Sequence, residues 1–190
     1  MITVAVLGSA MNPPHLGHLD AIEQLLRQAD EVLVVPSAAH AFGKPMAAYS
    51  ARLDMARLLA ARSTHPDRVK VADIEAQMLA EAPDMPVYTY DLLSRLDRME
   101  QRANVRYVCA VGPDNAREEV WNRFHRAGEI LERFGRVVVE DRLSVRSSAI
   151  RAALGARRAK LSGMTTPEVA QYIGMHHLYR TKTREDKKRN

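Results

Sequence analysis

The regular alternation of short apolar runs with helix-patterned segments constrains the fold of this chain more than any other feature. The first apolar run covers residues 2–7, and leucine and isoleucine then recur at helical spacing over residues 16–27. Further apolar runs predict strands at residues 31–35, 69–74, 106–111 and 136–139. Strands that alternate with helices pair in parallel and carry those helices on both faces of the sheet. We therefore predict an α/β fold with a Rossmann-like, doubly wound parallel sheet.

The composition and the charge distribution predict a single domain, closed by C-terminal helices and followed by a basic tail. A chain of 190 residues with 46% hydrophobic residues can bury one core. The last predicted helix begins at Pro167, where Thr165 and Glu168 form a capping-box pattern. The net charge of +5 is concentrated in residues 180–190, where six basic side chains stand against two acidic ones. Short charged ends are usually solvated, so we assign the domain to residues 1–179 and expect no nucleic-acid partner.

The sequence predicts neither export nor a membrane partner. No apolar run approaches the roughly 20 residues that a membrane helix needs, and the N-terminus lacks the charged leader of a signal peptide. The one cysteine, Cys109, lies within an apolar run and is predicted to be a core thiol rather than a nucleophile. We expect a cytoplasmic protein, and its oligomeric state is left open.

Two histidines follow the first predicted strand, at the point where a helix begins. Gly8 and Ser9 follow the strand, and His15 and His18 then lie three residues apart on either side of Gly17. That spacing puts both imidazoles on one side of the helix, where the backbone N–H groups and the positive helix end favour a phosphate. The imidazoles could donate hydrogen bonds as charge develops during transfer. A pair of metal ligands or surface histidines is the simpler interpretation of two histidines taken alone.

A second segment of the same type follows the last predicted strand. Ser147 and Ser148 stand at the start of a helix, and Arg151 follows one turn later. Hydroxyls, open N–H groups and an arginine suit a polyphosphate. Taken alone, the segment is an ordinary capped helix. The phosphate-binding hypothesis is stronger because this is the second helix of the predicted sheet that begins with groups suited to a phosphate. Such sheets bind ligands at the carboxyl ends of their strands.

Together these segments resemble the nicotinate/nicotinamide mononucleotide adenylyltransferases of the nucleotidyltransferase superfamily. That family opens with Gly-Gly-Thr-Phe-Asp-Pro-x-His-x-Gly-His and closes with Ile-Ser-Ser-Thr-x-Ile-Arg. Here residues 8–18 read GSAMNPPHLGH and residues 145–151 read VRSSAIR. Other marks of the family occur in order at Val35, Pro36, Ser37, Lys44, Arg52, Glu75, Tyr88, Thr89, Tyr90, Asp91, Val111, Gly112, Pro113, Asp114, Asn115, Trp121, Val169, Tyr172, Ile173, Leu178 and Tyr179. The resemblance covers residues 1–179.

The resemblance implies that AMP is transferred from ATP to nicotinate or nicotinamide mononucleotide, with release of pyrophosphate, as a step of NAD biosynthesis. The catalytic residues it implies are His15, His18, Lys44 and Arg151. The ATP-binding residues it implies are Gly8, Ser9, His15, His18, Gly112, Asp114, Ser147, Ser148 and Arg151. The acceptor-binding residues it implies are Asn12, Lys44, Thr89 and Trp121, with Trp121 stacked on the pyridine ring. Mg²⁺ would enter with ATP and need few protein ligands, so no dedicated metal site is expected.

Four departures from the family motifs stand out. Ala10, Met11 and Asn12 stand where the opening motif has Thr, Phe and Asp, and Arg146 stands where the closing motif has its first Ser. These changes leave the phosphate chemistry intact but do not indicate which pyridine nucleotide is preferred.

Three alternatives to this function remain open. The same chemistry could act on another acceptor, such as phosphopantetheine. The fold could also serve a noncatalytic nucleotide sensor. A metal protein using His15, His18 and His40 is the third, although acidic or thiol partners at ligand spacing are lacking. Trp121, taken alone, would more simply be a core residue.

Overall fold

A computed structural model of the chain describes residues 1–39, 46–156 and 161–180. Its five strands form one sheet in which every neighbouring pair is parallel, in the order β3-β2-β1-β4-β5. The strands are β1 (Ile2–Ser9), β2 (Glu31–Pro36), β3 (Val69–Val71), β4 (Val105–Val111) and β5 (Arg136–Val138). The predicted Rossmann-like, doubly wound sheet is confirmed.

Helices connect these strands and cover both faces of the sheet. They are α1 (Leu16–Leu26), α2 (Tyr49–Ala60), α3 (Ile74–Glu81), α4 (Thr89–Met99), α5 (Pro113–Ala116), α6 (Glu118–Trp121), α7 (Ala127–Arg133), α8 (Ser147–Gly155) and α9 (Pro167–Met175), with a 3₁₀ turn at Pro66–Arg68. Across the described ranges, none of these helices is both long and apolar enough to cross a membrane.

The central strand β1 explains why its sequence is a continuous apolar run. Ala5 and Leu7 face one core, against α1, α2 and α9, whereas Val4 and Val6 face a second core on the other side of the sheet. A parallel strand covered on both faces needs apolar residues at consecutive positions. Cys109 on β4 belongs to the second core and is buried, as predicted.

Two local predictions are wrong. The strand predicted at residues 69–74 ends at Val71, and Ile74 begins α3 instead. Ile74 is buried in the second core, so its apolar character reflects helix packing and not strand pairing. The cap of α9 is Thr166, whose hydroxyl accepts from the Val169 N–H. The hydroxyl of Thr165 donates to the Pro14 carbonyl 2.9 Å away.

The C-terminal helices hold the turn between β1 and α1 through bonds to its carbonyls. Ser147 Oγ donates to Pro13 O at 2.8 Å, and Arg151 Nη1 donates to Asn12 O at 2.6 Å. Thr165 makes the third such bond. Three consecutive carbonyls of the turn are therefore fixed by side chains more than 130 residues away.

Arg52 of α2 fixes the loops at the carboxyl ends of β1 and β2. Its side chain is 1% exposed. The guanidinium donates to four backbone carbonyls at 2.7 to 3.4 Å, those of Ala10, Ser37, Ala38 and Ala47. Burial lowers the pKa of this arginine. Because the carbonyl dipoles replace its hydration, the buried charge holds three loop segments together.

We predict that Arg52→Met destabilises the fold strongly, because the four carbonyls lose their shared donor. The expected loss is on the order of 3 kcal/mol or more. Arg57→Met is the matched control on the same helix. Arg57 is half exposed and makes a surface ion pair with Asp54 at 3.4 Å, so its loss should change stability by less than about 0.5 kcal/mol. Urea unfolding of both variants measures the difference, and equal midpoints would contradict the role given to Arg52.

Candidate active site

The candidate site lies where the strand order reverses. β1 pairs with β2 on one side and β4 on the other, and connections leave β1 and β4 in opposite directions, which opens a crevice at their carboxyl ends. Gly8 at the end of β1 and Gly112 after β4 both face open space, because a Cβ at either position would meet no atom within 4 Å. Ligand atoms can approach the backbone at both predicted glycines.

A cavity of about 490 Å³ lies at this crevice. Predominantly apolar residues and a few polar ones line it: Val6, Leu7, Gly8, Ser37, Ala38, Ala39, Glu75, Leu79, Pro86, Val87, Tyr88, Thr89, Leu92, Leu93, Cys109, Ala110, Val111, Gly112, Asn115 and Phe124. No Lys, Arg or His is among these described lining residues. The cavity therefore suits an uncharged or weakly charged ring rather than a phosphate.

The two predicted histidines lie together at the start of α1, next to this cavity. Their ring centroids are 3.8 Å apart. His18 Nδ1 accepts the N–H of His15 at 3.2 Å, and its Nε2 lies 2.9 Å from Ser9 Oγ. Because Nδ1 accepts, the proton of the neutral ring belongs on Nε2. His18 thus presents an N–H donor towards the end of β1, one residue from Gly8 of the cavity wall.

Both histidines are held neutral by their surroundings. Burial, followed by the charge of Arg146, lowers the pKa of His15 to about 4, although Asp141 acts in the opposite direction. Burial and the neighbouring His15 lower the pKa of His18 well below its ordinary value. His15 is buried, and its Nδ1 finds no hydrogen-bond partner among the residues that the structure describes. An unsatisfied ring nitrogen beside an N–H donor is a polar site that a ligand oxygen can complete.

Gly17 makes the position of the His15 ring possible. A Cβ at Gly17 would lie 3.0 Å from His15 Nδ1 and 3.1 Å from its Cε1. A glycine between two histidines at a helix start can leave room for a nucleotide near the backbone. The structure shows that the space next to it is filled by the imidazole itself.

The closing segment contributes side chains to the same end of the sheet. Ser147 and Arg151 bond the turn that precedes His15, while Ser148 at the start of α8 is exposed. Asp114 stands on α5 directly after β4, with an exposed side chain 3.9 Å from Arg117. Lys44, predicted as a catalytic and acceptor-binding residue, lies outside the described residues, as does His40.

Of the predicted acceptor residues, Thr89 lines the cavity and two others have structural contacts. Asn12 is buried, and its Oδ1 accepts the Ala47 N–H at 3.1 Å. Trp121 is 4% exposed and does not line the cavity. Phe124 stands at the cavity wall and stacks on Trp121, with ring centroids 4.9 Å apart. The large apolar area of the indole favours its place in the core.

Two further groups of the cavity were not predicted to act there. Glu75 accepts the Ala38 N–H at 2.9 Å, and burial raises its pKa to about 7, against the opposing effects of that bond and of Arg52. Cys109 reaches the cavity wall, but burial raises its pKa to about 12, which excludes a reactive thiolate. Glu75 had been noted only as a family mark after the third strand, because its burial depends on helix α3.

The described residues contain no group of three or more His, Cys, Asp or Glu side chains arranged to hold a metal ion. Within the same part of the chain, no acidic side chain makes a hydrogen bond to the histidine pair.

Comparison with known proteins decides the family. A family model described as Cytidylyltransferase-like matches residues 6–167. A protein of Anaeromyxobacter dehalogenans (strain 2CP-C) with the name "Probable nicotinate-nucleotide adenylyltransferase" is 31% identical over 188 residues, which cover 93% of this chain and 96% of that protein. The chain belongs to the nicotinate-nucleotide adenylyltransferase family. It is a nucleotidyltransferase of NAD biosynthesis, and the family and enzyme class predicted from the sequence are confirmed.

Other relatives share this family likeness over most of their length. A Myxococcus xanthus (strain DK1622) protein of the same name is 33% identical over 144 residues, covering 74% of this chain and 69% of that protein. The structure of a Vibrio parahaemolyticus protein assigned by name to the family has a TM-score of 0.73 at 29% identity, covering 90% of this chain and 97% of its own. Plasmodium falciparum nicotinic acid mononucleotide adenylyltransferase, complexed with NaAD, has a TM-score of 0.69 at 18% identity, covering 94% and 98%, which supports the fold.

We predict that Gly17→Ala impairs nucleotidyl transfer, because the new methyl group displaces the His15 ring. The ring must give way by a few tenths of an ångström, and since misplacement by about 1 Å can cost on the order of 10²-fold in rate, the expected loss is roughly threefold to tenfold. Gly174→Ala in α9 is the matched control, since a Cβ there meets nothing within 4 Å. The control should keep full activity and be equally or slightly more stable. Transfer rates and melting temperatures of both variants test this, and equal rates would contradict the packing argument.

The lowered pKa of His15 predicts a pH-dependent stability. Its pKa is about 4 in the fold, against 6.5 ordinarily, so between these values the unfolded chain binds a proton that the folded chain does not. This difference favours the folded state by on the order of 3 kcal/mol at a pH above 6.5. The contribution to the free energy of unfolding is lost as the pH falls from 6.5 towards 4.

His15→Gln removes this titration. Urea unfolding across the window should show that the stability advantage of the wild type over the variant shrinks as the pH falls. An advantage that stays constant with pH would show that His15 keeps its ordinary pKa.

Proposed function

We propose that the enzyme transfers AMP from ATP to nicotinate mononucleotide in the cytoplasm, releasing pyrophosphate. The acceptor phosphate oxygen attacks the α-phosphorus of ATP, and the bond from that phosphorus to the bridging oxygen of the β-phosphate breaks. The observation that carries the proposal is the juxtaposition of the histidine pair with a cavity whose described lining holds no cation. Phosphates and an aromatic base would then occupy adjacent but chemically distinct places.

The acceptor's pyridine ring suits the cavity because its wall combines apolar side chains with Thr89 and Phe124. Asn12 would act through the turn that it ties to Ala47, and Trp121 would support Phe124 from behind. The names of the curated relatives favour nicotinate over nicotinamide mononucleotide as acceptor. A carboxylate in this cavity would be bound by backbone and hydroxyl donors, because the described lining lacks Lys, Arg and His.

ATP would lie across the crevice, with its phosphates at the histidines and its ribose near Gly112 and Asp114. In the structure, the Nε2–H of His18 donates to Ser9 Oγ. A phosphate oxygen bound at the same place would accept a hydrogen bond from this N–H. A triphosphate would also raise the low pKa values of His15 and His18, which strengthens both rings as donors.

The departing pyrophosphate would be bound by Ser147, Ser148 and Arg151 at the start of α8, together with Lys44. Mg²⁺ entering with ATP would neutralise charge on the phosphates and would be held mainly by their oxygens. No protein nucleophile is required, because positioning and charge neutralisation dominate this class of transfer.

We predict that pyrophosphate is released from ATP and Mg²⁺ only when a pyridine mononucleotide is present, and fastest with nicotinate mononucleotide. A panel of nicotinate mononucleotide, nicotinamide mononucleotide and phosphopantetheine tests this by pyrophosphate release. Equal or faster release with phosphopantetheine would refute the acceptor assignment. Binding of ATP without release for any acceptor would favour a nucleotide sensor.

We predict that His18→Ala lowers kcat by a factor on the order of 10² to 10³, as expected for the loss of a donor to developing charge. The His15 N–H also loses its partner, so a stability loss of about 1 kcal/mol should accompany it. His65→Ala is the control, because His65 is exposed before β3 at the opposite end of the sheet. Full activity of His18→Ala, or unfolding at room temperature, would assign His18 a purely structural role.

A further inference from the structure

Arg146 is the N-cap residue of α8, at a position where the family motif has serine. Both of its neighbours touch the segment at the start of α1. The Val145 carbonyl lies 3.6 Å from the place that a Cβ of Gly17 would occupy, and Ser147 Oγ bonds Pro13 O at 2.8 Å. The backbone of Arg146 is therefore fixed beside the histidine pair, although half of its side chain is exposed.

The guanidinium of Arg146 is held by the Asp141 carboxylate. The other oxygen of Asp141 accepts the Ser144 N–H at 3.1 Å, which fixes the carboxylate in its loop. An exposed ion pair of this kind contributes little to stability, because water screens it and two side chains must be ordered. A polyanion can therefore displace Asp141 from the guanidinium of Arg146 at a small cost in free energy.

The charge of Arg146 acts on both sides of the crevice. It lowers the pKa of His15, at the start of α1. The carboxylate of Asp114, on α5 after β4, in turn helps to raise the pKa of Arg146. His15 follows β1 and Asp114 follows β4, so the arginine lies within electrostatic reach of both strand ends. The neighbouring Arg142 pairs with Glu140 at 2.9 Å and has no such effect on His15.

We propose that Arg146 is an additional phosphate-binding residue of this enzyme, whose guanidinium exchanges Asp141 for the triphosphate of ATP. The inference rests on the proposed function for the position of the nucleotide. Arg151 uses its Nη1 to bond the Asn12 carbonyl, so Arg146 adds a second cation, whose carboxylate partner can be exchanged for a ligand. The planar guanidinium donates two parallel N–H bonds to phosphate oxygens as readily as to a carboxylate. Asp141 acts as a positioning residue that keeps the arginine ordered before the nucleotide binds.

The test compares Arg146→Ser, which restores the family residue, with Arg142→Ser, which removes the same charge from the residue directly after Asp141. NMR titration of His15 in the free protein is the first readout. The pKa of His15 should rise in Arg146→Ser and stay unchanged in Arg142→Ser. An unchanged value in Arg146→Ser would show that the arginine does not face the histidines, which overturns the proposal.

Calorimetric binding of ATP and Mg²⁺, without acceptor, is the second readout. Arg146→Ser should weaken the Kd by about tenfold or more, Arg146→Lys should restore part of the affinity, and Arg142→Ser should match the wild type. An unchanged Kd in Arg146→Ser, with ATP binding to the wild type intact, overturns this inference alone. If the wild-type protein binds ATP but transfers nothing to a pyridine mononucleotide, the acceptor assignment is refuted. The proposal that Arg146 binds phosphate is then unaffected. Wild type that does not bind ATP overturns both.

Discussion

The buried guanidinium of Arg52 is the constraint on which the functional end of the molecule depends. A charge taken out of water must be solvated by the protein, and here the solvation comes from the carbonyl groups of several loops. Those loops leave β1 and β2 and lead into α2, so they can satisfy the arginine only when the strands are paired and α2 is docked. One side chain thereby couples the sheet to the conformation of the turn that follows Ala10.

The turn between β1 and α1 in turn fixes the position of the two histidines. Met11 follows Ala10 with a φ of 47° and is completely buried in the first core. The side chain of Asn12 reaches the segment before α2, and the helices at the end of the chain bind the turn from the other side. Two of the departures from the family motif fit these contacts, because methionine, like phenylalanine, suits a buried apolar position and asparagine, like aspartate, offers an acceptor oxygen to the Ala47 N–H. His15 and His18 are positioned by groups that need not touch a ligand.

The sequence was sufficient for the sheet, the histidine pair and the family, because each depends on local pattern or on spacing within one segment. It was insufficient where long-range packing decides. Helix α3 is short and carries one buried apolar residue, so its pattern could not be told from the end of a strand. In the sequence, Thr165 and Thr166 are equally suited to cap α9. The structure distinguishes them, because the hydroxyl of Thr165 donates to the Pro14 carbonyl and only Thr166 is left to cap the helix. The burial of Trp121 and the cavity position of Phe124 depend on α6 and the turn after it, whose packing no local signal records.

The bonds from α8 and from Thr165 to the turn at residues 12–14 also determine when the site can exist. They join residues separated by 134, 139 and 151 positions, so their partners are at nearly opposite ends of the chain. During synthesis the first strand and the histidines leave the ribosome early, but the residues that hold them arrive only with about the last quarter of the chain. Contacts between residues so far apart in the sequence form late in folding, because the intervening chain must first lose conformational entropy. A nascent or truncated chain that has already paired β1 with β2 therefore lacks the three bonds that fix the turn before the histidines.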